Sequence, residues 1–103
     1  MPRIGKRLSA IALAKLPVGV HSDGLNLYLQ VSKDGNRSWL FRYMRDRQAH
    51  GMGLGPLHTV SLAEAREKAI AARKQLVDGL DPLTERRRAR QQAKLTEARH
   101  HIP

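Results

Sequence analysis

Residues 25–54, LNLYLQVSKDGNRSWLFRYMRDRQAHGMGL, decide how this chain folds. They contain three short extended runs in immediate succession. The first is Leu27-Tyr28-Leu29-Gln30-Val31, the second Ser38 to Arg45, the third His50 to Leu54. Side chains alternate across a strand, so each run has two faces. In the first, Leu27, Leu29 and Val31 share one side and Tyr28 and Gln30 the other. In the second, Trp39, Phe41 and Tyr43 oppose Leu40, Arg42 and Met44. One face builds a core. The other is amphipathic with Arg42 at its middle, which suggests a sheet laid against a polyanion.

Turn chemistry joins the runs. Lys33-Asp34-Gly35-Asn36 is a hairpin loop, because Asp-Gly and Gly-Asn tolerate the positive φ such turns need. Arg45-Asp46-Arg47-Gln48 is a second loop, without glycine. Gly24 marks the turn into the first strand, and Gly55-Pro56 breaks the third. The pattern predicts an antiparallel meander of three strands. Gly51-Met52-Gly53-Leu54-Gly55 lacks the Lys-Ser/Thr of a phosphate loop and precedes a proline rather than a helix. It reads as a tight strand end with close backbone approach.

Outward from the meander, helices are expected on both sides. Ser9 to Lys15 favours a short N-terminal helix, capped by Ser9 and ended by Pro17 and Gly19. Ser61-Leu62-Ala63-Glu64 is a capping box, with Val60 placed as a hydrophobic staple. Behind it Leu62, Ala65, Ala69, Ala72 and Leu76 form one stripe, mostly alanine, which lets a helix approach a sheet closely. Asp78-Gly79 closes that helix and Asp81-Pro82 follows as a stop. From Thr84 onward the chain is a charge run with few large apolar residues, a linker or a solvated helix. The fold class is α+β, a three-stranded antiparallel sheet packed on a C-terminal helix. Residues 1–82 make the domain and 83–103 a basic tail.

Charge points to the partner. The 103 residues carry 19 Lys and Arg against 9 Asp and Glu, a net charge of +10. Such a balance favours nucleic acid or another anionic surface. Residues 1–60 hold nine basic and three acidic groups, whereas 61–80 hold four and three. The positive field therefore belongs to the sheet half and the tail. The chain has no cysteine, so no disulfide frame and no thiolate chemistry. No apolar run approaches the ~20 residues that cross a bilayer. The N-terminal basic residues followed by Leu8 to Leu16 resemble a signal peptide, but Ser9 and Lys15 interrupt the run and no cleavage site follows. A soluble, cytoplasmic bacterial protein is expected, with no membrane partner.

Catalysis finds no support. No serine lies in an elbow motif, and no spacing among His21, His50, His58, His100 and His101 resembles a metal site. No cofactor and no metal are expected. Trp39, Phe41 and Tyr43 are either a base-stacking platform or the core. They share one strand face in a chain with only four aromatic residues, and the core reading is the stronger.

The ordered set Ser22-Asp23-Gly24, Leu27-Tyr28-Leu29, Ser38 to Tyr43, Met52-Gly53-Leu54-Gly55, Val60 to Arg66 and Asp78 to Pro82 is recognisable. It resembles the N-terminal arm-type DNA-binding domain of phage and genomic-island integrases of the tyrosine recombinase family. The match runs from about residue 7 to residue 88. In that family a glycine run usually follows the Ser-Asp-Gly segment; here Leu25-Asn26 stands there. The resemblance implies a sheet whose free face enters the DNA major groove at short arm repeats flanking a recombination site. It implies that the catalytic tyrosine lies in a separate, larger domain, so that this chain is a fragment of an integrase and not itself an enzyme. Other integrase subunits are further candidate partners, and the fragment alone is expected to be monomeric.

The residues agree on which face is free. Tyr28, Gln30, Leu40, Arg42 and Met44 project toward bases, where Gln pairs bidentately with adenine and Arg with guanine. Lys33, Arg37, Arg45 and Arg47 stand at the hairpin ends, where phosphates would pass. Lys6 and Arg7 would add an N-terminal clamp. Two other readings are an RNA or single-strand binder, which needs Trp39 and Phe41 exposed, and a subunit-interaction module using the helix or tail.

Overall fold

The computed structural model describes the backbone of residues 8–100 and side chains through Glu97. Its order is a single 3-10 turn at Leu13–Lys15, then strands β1 (Gly19–Gly24), β2 (Leu27–Val31), β3 (Arg37–Arg45) and β4 (Gln48–Pro56). Helices α1 (Leu62–Val77) and α2 (Pro82–His100) follow. The strands form one antiparallel sheet in sequence order. The α+β class holds, with two corrections. The sheet has four strands rather than three, and the expected helix over residues 9–15 shrinks to the 3-10 turn.

Both corrections have physical causes. β1 reads as a loop because its residues are mostly glycine or polar. Its inward position is Asp23, buried in an ion pair with Arg66 of α1 (2.9 Å) and accepting from the Leu8 amide (2.8 Å). The β1–β2 connection is a two-residue turn at Leu25 (φ 51°) and Asn26 (φ 72°). Positive φ at both positions matches the twist of the flanking strands, at the expense of strain at a leucine. The glycine-free β3–β4 turn does the same with Asp46 (φ 52°) and Arg47 (φ 64°). Near the N-terminus, the carbonyls of Leu13, Ala14 and Leu16 all accept hydrogen bonds from the Arg37 guanidinium. Pro17 has no amide to offer the Leu13 carbonyl, so the turn cannot extend, and Arg37 satisfies the carbonyls left open at its end.

The core lies between one sheet face and α1. Leu27, Leu29, Trp39, Phe41, Tyr43, Met52 and Leu54 face Leu62, Ala65, Ala69 and Ala72, with Leu76 packed at the margin. The capping box forms as expected: Ser61 Oγ accepts from the Glu64 amide, and a Glu64 carboxylate oxygen accepts from the Ser61 amide. Gly55 sits at the β3–β4 bulge with φ 113°, where a Cβ would stand 2.7 Å from Val60 Cγ2. That glycine is fixed by packing and backbone together. Among the described residues no helix is long and apolar enough to cross a membrane.

The start of α2 belongs to this packing. Asp81 caps it through the Leu83 amide and Thr84 hydroxyl. Tyr43 of β3 donates its hydroxyl to the same carboxylate. Pro82 is buried, Leu83 packs against the core, and Arg86 donates to the Gly53 carbonyl at 2.6 Å. Beyond Arg86 the described side chains are exposed.

This corner makes the domain sensitive to alkali. The Tyr43 hydroxyl is pushed up from 10.0 to about 12, first by burial and then by its bond to Asp81. A raised value means the folded state holds the proton more tightly. The contribution is complete below pH 10 and is lost as pH rises toward 12, at most roughly 2–3 kcal/mol. Urea midpoints at pH 9, 10 and 11 should fall more for the unsubstituted chain than for Tyr43→Phe. Parallel curves would refute the assignment.

Candidate nucleic-acid interface

The face of the sheet away from α1 carries no covering element among the described residues. Antiparallel register decides what stands on it. Tyr28 pairs with Leu40 and Gln30 with Ser38 across β2–β3. Across β3–β4, Leu40 faces Gly53, Arg42 faces Gly51, and Met44 faces Ala49. Val20 and Ser22 of β1 pair with Gln30 and Tyr28, and so extend the same face. Gln30, Arg42 and Met44 are exposed, whereas Tyr28 and Leu40 are half-buried. All five residues predicted for this face are therefore on it.

Arg42 is held in two ways. Its guanidinium carbon lies 5.3 Å from the centroid of the Tyr28 ring, within cation–π reach. Its backbone is fixed by Asn26, whose carbonyl accepts from the Arg42 amide and whose Nδ2 donates to the Arg42 carbonyl. Arg73 of α1 in turn donates to Asn26 Oδ1 at 2.7 Å. The Leu25–Asn26 turn thus anchors the central cation of the face. The side chain remains directed to solvent with its donors available for a partner.

The hairpin ends divide. Lys33, in the β2–β3 loop, and Arg47, in the β3–β4 turn, are exposed at opposite ends of β3; Arg45 is half-buried beside Arg47. Arg37 is different. It donates to the carbonyls of Leu13, Ala14, Leu16 and Gly35. Its charge is engaged with the N-terminal segment, a contact made across some twenty residues that no local pattern signals. Lys6 and Arg7 lie outside the described residues.

Sequence reasoning missed Val20, Ser22 and Ser38, and it read the β4 glycines only as a strand end. Alternation around Met52 and Leu54, both buried, could have placed Ala49, Gly51 and Gly53 on the free face. Trp39 and Phe41 are 1% and 0% exposed, so these two rings offer no platform for stacked bases. Among the described residues no group of three His, Asp or Glu side chains is placed to hold a metal.

Residues 6–89 match the family model described as an Arm DNA-binding domain. The chain is 41% identical over 71 residues to the integrase of Enterobacteria phage P4, covering 67% of this chain and 16% of that protein. It is 39% identical over 61 residues to the integrase of Shigella phage Sf6, covering 59% and 16%. The same figures hold for prophage integrase IntS of Escherichia coli K12. The chain thus spans about a sixth of the length of these curated relatives.

Proposed function

The chain belongs to the Arm DNA-binding domain family, and from that premise we propose that it is a sequence-specific double-stranded DNA-binding module. It acts as the N-terminal part of a site-specific integrase of the tyrosine recombinase kind, whose catalytic residues lie in a separate domain. The free sheet face enters the major groove at arm-type repeats of an attachment site. The module, expected to end at residue 82, extends through the first turn of α2, because Leu83 and Arg86 pack against the sheet, and the basic segment after it leads toward the rest of the protein.

The observation that carries this reading is the placement of Arg42 and Gln30. They stand exposed on neighbouring strands of one rigid face, beside Tyr28, Leu40 and Met44. A β-ribbon fits the major groove, and these two side chains can pair with guanine and adenine edges. Lys33, Arg45 and Arg47 meet phosphates at the two ends. Arg37 serves as an internal tether. Binding to RNA or single strands through stacked aromatics loses its support, because Trp39 and Phe41 lie in the core.

One experiment separates the roles. Duplexes enriched from a pool with randomised centres are compared with the unselected pool, across a salt series. Arg42→Ala should cost about 1–3 kcal/mol on the enriched duplex and much less on the pool. Arg47→Ala should weaken both alike and lower the salt slope by roughly one. If Arg42→Ala leaves the ratio of the two affinities unchanged, Arg42 contacts phosphate and specificity lies elsewhere. Salt-independent binding would count against the whole surface.

A further inference from the structure

The fourth strand widens the free face. β1 is an edge strand, and its Val20 stands directly opposite Gln30 of β2. Gln30 in turn pairs with Ser38 of β3. One row across the sheet therefore runs Val20, Gln30, Ser38. Val20 is exposed, although it is apolar. Val18, two residues before it, is exposed as well. Both valines line one shallow depression together with Gln30, Asn36 and Ser38.

The fold does not ask for valine at residue 20. Its side chain is no part of the core. Threonine has the same shape, suits a strand as well and keeps a hydroxyl in water. An apolar side chain on an open sheet edge also invites unwanted pairing. Yet the segment is firmly held. The His21 ring meets the Pro17 carbonyl at 2.7 Å, which fixes the stretch that carries both valines.

The lining of the depression says what fits it. It includes no lysine or arginine, and Asp34 adds a carboxylate. A phosphate is repelled there, whereas a neutral base edge is not. A ribbon in the major groove runs its strands along the groove, so a row across the sheet lies across a base pair. Opposed side chains on neighbouring strands stand about 5 Å apart at Cβ. In an A·T pair, adenine presents N7 and N6 on one side, and thymine presents O4 and its C5-methyl on the other. The Gln30 amide matches the first, donating to N7 and accepting from N6. Val20 matches the methyl. Neither a G·C pair nor the same pair reversed puts a methyl at that place.

We propose that Val20 is a specificity-determining residue, packing on the C5-methyl of the thymine whose adenine partner is held by Gln30. β1 and β2 then read the two DNA strands of one base pair. This rests on the reading of the free face as a duplex-binding surface, and it gives the added strand a part in recognition.

The test removes the methyl from the DNA. In duplexes enriched from the randomised pool, each thymine in turn is replaced by deoxyuridine. Affinities are measured for the unsubstituted chain, Gln30→Ala and Val20→Ala, beside the melting temperature of each. Gln30→Ala should relax the preference at one A·T pair. Uracil at that pair should cost the unsubstituted chain about three- to fivefold in affinity, which is what burying one methyl is worth. The same uracil should leave binding by Val20→Ala nearly unchanged. Uracil tolerated at every thymine, or weakening Val20→Ala as much as the unsubstituted chain, would overturn the contact and leave the DNA-binding reading intact. So would a Gln30→Ala variant that relaxes no A·T pair. If Val20→Ala fails to fold, the uracil series on the unsubstituted chain decides. If the unsubstituted chain binds no duplex in the pool, the functional reading falls and the contact with it.

Discussion

Replacing Trp39 with alanine should destabilise the domain by roughly 3–5 kcal/mol, enough to unfold much or all of a protein this small. The indole is 1% exposed, between the sheet and α1. Its removal leaves a cavity that the alanine-lined helix cannot fill, because Ala65, Ala69 and Ala72 have no side chain to move inward. A second loss comes with it. Trp39 Nε1 donates to the Val60 carbonyl at 2.7 Å, immediately before the capping Ser61. The ring therefore both fills the core and fixes where α1 begins. Trp39→Phe separates the two effects. It keeps most of the apolar bulk but leaves the Val60 carbonyl without its donor, for about 1–2 kcal/mol. Urea unfolding followed by circular dichroism measures both. An unchanged midpoint for the alanine variant would mean that the two faces of the sheet have been exchanged.

Arg66→Met should destabilise nearly as much, by roughly 2–3 kcal/mol. Arg66 meets Asp23 through two hydrogen bonds of 2.9 Å each and gives a third to the Leu8 carbonyl. Removing one partner of a buried pair costs about 3–5 kcal/mol, since the other charge stays out of water. The Asp23 side chain is 2% exposed, but that of Arg66 is 26% exposed, so part of this is screened. The double variant Arg66→Met with Asp23→Asn should lose clearly less than the sum of the two single losses. Additive losses would show that the pair contributes by packing alone. The effect should concentrate at the N-terminal segment and β1, because those are the elements the pair joins to α1.

Much of this architecture was legible, for identifiable reasons. β2 and β3 announce themselves by strict alternation, and α1 by its capping box and alanine stripe. Each signal is local. The free face followed from the same alternation, which is why Tyr28, Gln30, Leu40, Arg42 and Met44 fall where expected. β1 was hidden because its inward residue is an aspartate, which alternation counts as outward. The partner that makes burial possible, Arg66, lies in another element. The N-terminal helix was over-read for a similar reason. Propensity favours it, but Pro17 cannot supply the amide that would extend it, and the end is held instead by Arg37 from β3. The role of Arg37 itself, and the hold of Asn26 on Arg42, depend on contacts between distant residues and leave no periodic trace.

The corner at Asp81 has a mechanical consequence. The carboxylate caps α2 while Tyr43 grips it from the sheet, and Arg86 ties the next turn to β4. The helix is thus clamped at its base like a cantilever. From Arg86 to Glu97 it extends about 16 Å at 1.5 Å per residue. A tilt of about ten degrees at the clamp would sweep the far end by about 3 Å. Two hydrogen bonds from the sheet therefore set the bearing of the whole helix. Small adjustments of β3 or β4 reach its tip magnified rather than damped.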